Sequence, residues 1–420
     1  MNPSSPIPCA GVYDIVVAGG GMAGVGAACA AARQGARVLL VERLETLGGL
    51  GAAGGVGNFC FGDDSLPHGH GKVFDDIWEA LRFYGAIGEE YGWRAHRQPP
   101  FFNHTFDHNM LPIALQEIAE RDGVELLFAT DAIGVEREGP TVSSAVLHNR
   151  SLCRKVEAQI FVDCTGDGIL ARHAGAEELP PDPEHPQSIP PSHMIFLQKS
   201  ARPRLQPSRP PAAGLPPPKY SVWPEPERIG LKMWWPDGDF DTSTGKGFSD
   251  AARAFRRRIP EFVRHFQSTP QGRDFVFASS APMFGLRDSV RIVGNYVLTE
   301  EDLRAGRHFE DAVAHGCFPL DSAALSKDPM PPYQIPYRSL IVRGLENVLI
   351  AGRCFSATRV ALSSARIMPT CCLMGQAAGV AAALACKKRI RLRAMPASAI
   401  RERLLADSGG DPVLRQRLEP

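Results

Sequence analysis

The run Gly19-Gly20-Gly21-Met22-Ala23-Gly24 has the spacing G-x-G-x-x-G. The three conserved places of that pattern do different work: Gly19 permits a tight turn, Gly21 lets a pyrophosphate approach backbone N–H groups, and Gly24 lets a helix pack against the preceding strand. A helix starting at Met22 points the positive end of its dipole at such an anion. Eighteen residues beyond Gly24, Glu42 ends the next apolar run, where a carboxylate can accept hydrogen bonds from a ribose diol. This is dinucleotide-binding chemistry, and at this level nicotinamide and flavin both fit it.

Other polar residues could act on a substrate. His68 and His70 (in HGHG), His104 and His108 are each either proton-transfer groups or hydrogen-bonded loop residues. Arg287, Arg291, Arg359 and Arg366 could grip a carboxylate bidentately or hold charge that develops during hydride movement. Salt bridges, for instance with Asp288 or Glu301, would use the same arginines structurally. Arg287 and Arg291 lie four residues apart, so a helix or a strand would put both on one side. No C-x-x-C pair is present and His104–His108 is a lone H-x-x-x-H spacing, so no metal site is expected. The spacing recurs at Gly49–Gly54 inside the glycine-rich loop, but no second strand, glycine turn and helix unit of the kind a nicotinamide domain would need is expected.

These groups need elements to hold them. Tyr13–Ala18, Met22–Gln34 and Ala36–Glu42 read as strand, helix and strand, one βαβ unit with strands apolar throughout, as in a parallel sheet covered on both faces. Seven glycines between Gly48 and Gly62 form a loop suited to close backbone approach. Asp75–Tyr84 and Met110–Arg121 read as amphipathic helices. Short strands follow at Val124–Phe128, Ala132–Glu136, Val142–Leu147 and Val156–Asp163. Prolines then crowd residues 180–226, which argues against regular structure and for an extended loop, a lid or an arm. Asp250–Arg264 is a basic helix whose Arg256-Arg257-Arg258 suits a solvated face. Ser339–Val342 and Asn347–Ala351 are strand-like, and Pro369–Ala385 is a small-residue helix resembling the first. The expected architecture is α/β: a discontinuous Rossmann-like domain of residues 11–180 and 335–420, with an inserted α+β unit at 181–334 that contains the Pro-rich loop.

The 420 residues suit two or three domains, and 44% hydrophobic content supplies a large core. The 46 Lys+Arg balance 46 Asp+Glu, so the broad basic surface of a nucleic-acid binder is not expected. No run of eighteen apolar residues points to a membrane span, and residues 1–6 lack the features of a signal peptide. The ten cysteines show no C-x-x-C pair and no regular spacing, the adjacent Cys371-Cys372 reads as core or helix, and the expectation is a cytoplasmic protein with reduced thiols.

Three stretches separate flavin from nicotinamide by resemblance. Glu42–Gly49 resembles the E-(x)5-G-G continuation of FAD-binding proteins of the glutathione-reductase-like superfamily; Phe161–Gly168 and Asn347–Arg353 resemble the two later strand-and-turn returns to the cofactor. Arg287–Gly294, Tyr296–Thr299, Ile335–Leu340, Ala351–Thr358 and Arg366–Cys371 are similar to one family, the FAD-dependent oxidoreductases distantly related to the fumarate reductase and succinate dehydrogenase flavoproteins. The resemblance implies FAD held by Gly19, Gly21, Met22, Ala23, Gly24, Glu42 and Arg43 on the first unit. It implies Gly48, Gly49, Gly54, Gly55 and Ala132 next, and Thr165, Gly166, Gly352, Arg353, Met368 and Thr370 from the later returns.

Two positions depart from the family's pattern. Many relatives carry a His and a Glu after Ser-Ala-Thr, where this chain has Arg359-Val360. An Asp often follows the late glycine and holds the ribityl chain, where this chain has Arg353, so that contact falls to a backbone group or to Thr370. The implied activity is hydride transfer between a small organic metabolite and the flavin, with Arg287, Arg291 and His104 as catalytic candidates. Electrons would leave to O2 or another acceptor, and a homo-oligomer is compatible. A flavin-dependent monooxygenase and a non-catalytic flavoprotein are the alternatives.

Overall fold

The computed structural model describes residues 7–61, 68–87, 102–181, 191–200, 220–224, 228–234, 240–321 and 330–419. The chain opens with β1 (Cys9–Ala18), α1 (Met22–Arg33) and β2 (Val38–Val41), the expected βαβ unit. The glycine-rich loop leads into β3 (Asn58–Phe61), α2 (Lys72–Phe83), β4 (Phe102–Thr105) and α3 (Leu111–Arg121), with β3 and β4 paired antiparallel. Four strands follow: β5 (Glu125–Leu127), β6 (Asp131–Glu138), β7 (Thr141–Asn149) and β8 (Leu152–Asp163), closed by α4 (Ile169–His173).

Next come β9 (Ser192–Lys199), β10 (Tyr220–Pro224), β11 (Arg228–Trp234), α5 (Gly245–Gln267) and β12 (Phe275–Ser280). The chain continues through α6 (Glu300–Arg304), β13 (Ala312–Gly316), β14 (Tyr333–Pro336) and β15 (Val348–Ile350). It finishes with α7 (Arg359–Ala365), α8 (Met368–Lys388), α9 (Ala397–Asp407) and α10 (Pro412–Leu418).

The main sheet runs β5-β2-β1-β8-β7-β6, with β15 also on β8. It is mixed: β5, β2, β1, β8 and β15 are parallel, whereas β6 and β7 pair antiparallel. On the edge away from β1, β8 serves two neighbours, β7 along Leu152–Glu157 and β15 along Phe161–Asp163. Asn347 fixes where β15 joins, since its side chain accepts from Val142 N (2.9 Å) and donates to Val142 O (2.7 Å) and Gln159 O (2.9 Å). A second sheet, β10-β11-β9-β12, is wholly antiparallel and lies against α5.

Several elements differ from the sequence expectation. The stretch expected to be irregular contains β9, because Ser192–Lys199 is a proline-free island with apolar residues enough for a central strand; Pro203–Pro218 lies outside the described residues. Ser339–Val342 is not a strand but a helical turn at Tyr337–Ser339 followed by isolated bridges. Leu298, Leu303, Phe309, Val313 and Tyr333 share one core with α1 and α8, so the packing does not change at residue 334. On α5, Arg256 and Arg257 are exposed as expected, but Arg258 is buried beside Glu261 at 3.8 Å.

α1 and α8 are buried nearly all round and pack backbone on backbone. A Cβ at Gly26 would stand 2.5 Å from Cys372 O, and Cβ atoms at Gly375 and Gly379 would overlap the carbonyl oxygens of Ala23 and Ala27. α8 is long and apolar enough to cross a membrane by length and composition, yet 89% of its most apolar window is buried inside the protein. Gln376 puts a polar group in this core and uses it, accepting from Val73 N (3.0 Å) and donating to His70 O (2.8 Å), which anchors the start of α2. Gly375→Ala is expected to cost about 1–3 kcal/mol of unfolding free energy by overpacking against an immovable carbonyl. Denaturant titration measures it, and an unchanged midpoint would mean that the two helices have room to separate.

Candidate functional site

The parallel strands β1, β2, β8 and β15 end at the same side of the sheet, and the loops that follow them converge there, as ligand sites in open α/β sheets do. The turn after β1 fits under the turn after β8. Gly19 has φ +97°, and a Cβ on it would stand 2.5 Å from Cys164 O. Gly24 is equally excluded from carrying a side chain, by Gly19 O. Asp163, at the end of β8, is fully buried and is held by Thr165 N (3.0 Å), Thr165 Oγ1 (2.7 Å) and Ala171 N (2.9 Å). Burial raises its pKa while those donors pull it down.

A cavity of about 260 Å³ opens among these loops. Its wall takes Gly19, Gly21, Met22 and Ala23 from the first turn, Glu42, Arg43, Gly48 and Gly49 from the loop after β2, and Thr165 and Gly166 after β8. Gly352, Arg353 and Met368 complete this part. Two helix N-termini therefore face it, α1 through Gly21–Ala23 and α8 through Met368 and Cys371. Gly21 leaves the most room, because a Cβ there would meet nothing within 4 Å.

The Glu42 carboxylate is buried and braces this loop, accepting from Gly20 N (2.6 Å) and Leu44 N (2.9 Å). Burial raises its pKa against the pull of those amides. Arg353 is fixed by Asp167 (2.9 Å) and by Ser289 Oγ, and Ser289 in turn donates to Asp167. Burial opposes ionisation of Asp167, but the Arg353 guanidinium beside it and the Ser289 hydroxyl favour the ionised carboxylate and lower its pKa.

Five expected cofactor residues lie off this wall. Gly24 packs beneath the first turn, while Gly54 and Gly55 turn against Leu50 and Phe196. Ala132 lines a smaller neighbouring cavity of about 160 Å³ with Thr130 and Glu42. Thr370 is buried in the first turn of α8, its hydroxyl oxygen without a hydrogen-bond partner among the described residues.

The catalytic candidates separate. Arg287 lines the cavity, donates to Ser192 Oγ at 2.7 Å and stacks over Trp234 at 4.4 Å. Arg291 does not line it; its guanidinium donates to Pro180 O (3.0 Å) and Ala357 O (3.3 Å), tying three segments together. The segment carrying both is neither helix nor regular strand, so the even interval does not put them on one side. His104 packs edge-on against Trp78, 4.9 Å between rings, away from the cavity wall. His108 stacks on Phe196 at 4.4 Å, and burial depresses its pKa to about 4, which keeps it neutral. His70 is buried beside His315, and His68 is exposed. Arg359 pairs with Asp288 at 2.8 Å, the structural use foreseen for one of the arginines.

Sequence reasoning missed Lys232, Asp321 and Cys60, all on the cavity wall; Arg366, named with the other arginines as able to act on a substrate, is also there. Lys232 had a usable signal in the alternation of β11, where Ile229, Leu231 and Met233 pack on α5 and Lys232 falls on the opposite face.

Among solved structures, the chain is similar to a flavin-dependent brominase at 16% identity and TM-score 0.50, over 93% of this chain and 83% of that one. A geranylgeranyl bacteriochlorophyll reductase-like protein from Thermoplasma acidophilum matches at 13% identity and TM-score 0.49, over 97% and 86%. The anhydrotetracycline hydroxylase OxyS from Streptomyces rimosus matches at 15% and 0.47, over 97% and 69%. The first of these speaks for a shared fold. Residues 14–207 and 211–404 match the family model described as FAD dependent oxidoreductase, and with nearly the whole chain covered the protein belongs to that family of FAD-dependent enzymes.

Proposed function

We propose that the enzyme moves a hydride between a small organic metabolite and the flavin of FAD. The observation that supports this reading is a single cavity whose wall runs from the glycine turn of α1 to Lys232, Arg287 and Arg366. One end offers backbone and the other offers charged side chains, which is the division a dinucleotide and a reacting metabolite would require.

The residues present suit FAD. The open space at Gly21, beside first-turn amides of α1, accepts a pyrophosphate without displacing a side chain. Glu42 would receive the ribose hydroxyls, its oxygens keeping spare lone pairs beyond the two amides they already hold. Arg353, braced by Asp167, would present a fixed cation on the cavity wall. FAD supplies the two-electron acceptor or donor; the chain orients it and holds the metabolite. Arg287 is the chain's own candidate to grip that metabolite, with its planar fork oriented by Ser192 and Trp234.

The purified protein should show a visible flavin spectrum, with about one equivalent per chain, that bleaches when substrate is added without oxygen. A colourless protein that FAD cannot reconstitute would sink the reading, and turnover requiring NADPH, O2 and substrate together would move it to a monooxygenase. Glu42→Ala is expected to weaken FAD binding by about 1.5–3 kcal/mol, roughly ten- to a hundredfold. Flavin fluorescence during dilution measures this, and unchanged retention would leave Glu42 as a brace for the glycine turn alone. The two arginines should separate in the same assays. Arg291→Lys lowers the melting temperature by weakening two carbonyl bonds, while Arg287→Lys lowers turnover at unchanged FAD content; the reverse pattern would return the substrate role to Arg291.

A further inference from the structure

The first turn of α8 lines the cofactor cavity, and its last turn, roughly 30 Å away at the rise of an α-helix, lines another. This second cavity measures about 280 Å³ and lies between the C-terminal end of α8, the start of β7 and the middle of β8. Buried Ile160, Ala385 and Leu392 give it an apolar base. Its exposed rim is polar, from Thr141, Gln159, Arg389 and Arg391.

Charge around the rim does not balance. Residues 387–393 hold five cations: Lys387, Lys388, Arg389, Arg391 and Arg393. Glu346 meets two of them, Arg391 at 3.6 Å and Arg393 at 3.3 Å. Among the described residues, no carboxylate pairs with Lys387, Lys388 or Arg389. The whole chain has 46 Lys+Arg against 46 Asp+Glu, so the surplus is local.

Part of that surplus has a structural use. Cations in the last turn of a helix answer the negative end of its dipole, which accounts for Lys387 and Lys388. Arg389 is different. It has φ +53°, the left-handed position after a helix where glycine is ordinarily placed because a Cβ is crowded there. The cap uses only its backbone N–H, which donates to Cys386 O at 3.2 Å. A long cation therefore stands where glycine would serve the backbone better, and it lines the cavity.

We propose that this cavity binds a phosphoryl group, gripped by Arg389 and Arg391, on a molecule whose body rests on Ile160, Ala385 and Leu392. One guanidinium saturates a carboxylate, whereas a phosphoryl group has oxygens enough to accept from two planar forks. A soluble phosphate ester and an anionic lipid headgroup share this chemistry. The site is separate from the flavin cavity and stands independently of how that cavity is read.

Calorimetric titration of the FAD-loaded protein with phenyl phosphate and with phenol, at low ionic strength, tests this. At about pH 7.5 phenyl phosphate is mostly a dianion and phenol is neutral. Phenyl phosphate should bind at least about tenfold tighter than phenol, the scale of one charge-assisted hydrogen bond. Arg389→Gly and Arg391→Gln should each weaken it about tenfold, with the flavin spectrum unchanged. Arg389→Gly should do so at a melting temperature equal to or above that of the wild type, since glycine suits the left-handed backbone. Sedimentation with phosphatidylcholine vesicles, with and without phosphatidic acid, separates the two sources. Sedimentation with the anionic vesicles assigns the site to a headgroup, and binding of phenyl phosphate without sedimentation assigns it to a soluble ester. Equal affinity for phenyl phosphate and phenol, with no sedimentation, overturns the proposal. Binding that survives in both variants overturns it too, as does a melting temperature that falls in Arg389→Gly while binding stays unchanged.

Discussion

The contact between α1 and α8 is the constraint from which the rest follows. Two helices from opposite ends of the chain meet through glycines whose missing Cβ atoms let backbone lie on backbone. At that distance neither helix can shift along or roll over the other without a carbonyl colliding with a Cα. Their N-termini are consequently fixed side by side at one mouth of the sheet, and both line the same cavity. The composition of both helices follows from the same demand. Ala, Gly and Cys dominate because they are buried on every side, against the sheet, against each other and against α2 or α9.

A similar economy governs the loops. Gly19, Cys164 and Gly24 interlock so tightly that the first turn has essentially one conformation, set by β1 and β8 being parallel neighbours in register from Ile15 to Ala18. The buried Asp163 and Glu42 each use their oxygens on backbone amides of the loops they end. Desolvation works against both carboxylates, and the amides offset part of that cost, so the strain of burying charge is spent on fixing loop geometry.

Much of this was legible before any coordinates. The βαβ unit declares itself because its signals are local: an apolar run, a glycine turn, a small-residue helix, a second apolar run and a terminal carboxylate. Glu42, Gly21 and Arg353 could be placed at the cavity from such signals and the family resemblance. Arg291 could not be told from Arg287, because an even spacing fixes side only where the backbone is regular, and residues 287–298 are held instead by isolated bridges to Glu178, Val342 and Ala357. β9 was hidden by prolines on both flanks. Lys232 carried only a partial signal. Alternation shows that β11 has two faces, but only the position of α5 shows which face is covered and which looks into the cavity.

The two ends of the cavity are built from different materials, and that difference has a consequence for how the enzyme can vary. Around Gly19, Gly21 and Gly24 the surface is backbone, and almost any substitution adds an atom where none fits or where the ligand must come. Around Lys232 and Arg287 the surface is side chain, carried on an antiparallel sheet whose other face packs independently on α5. A change of residue on the cavity face of β11 leaves Ile229, Leu231 and Met233 in their core, so the charge offered there can be altered at small cost to the fold. The side chains at that end are therefore freer to vary than the glycine turns. The charged side chains at that end are carried by a sheet with a core of its own against α5, whereas the glycines are fixed by the close-packed turns of the α/β sheet.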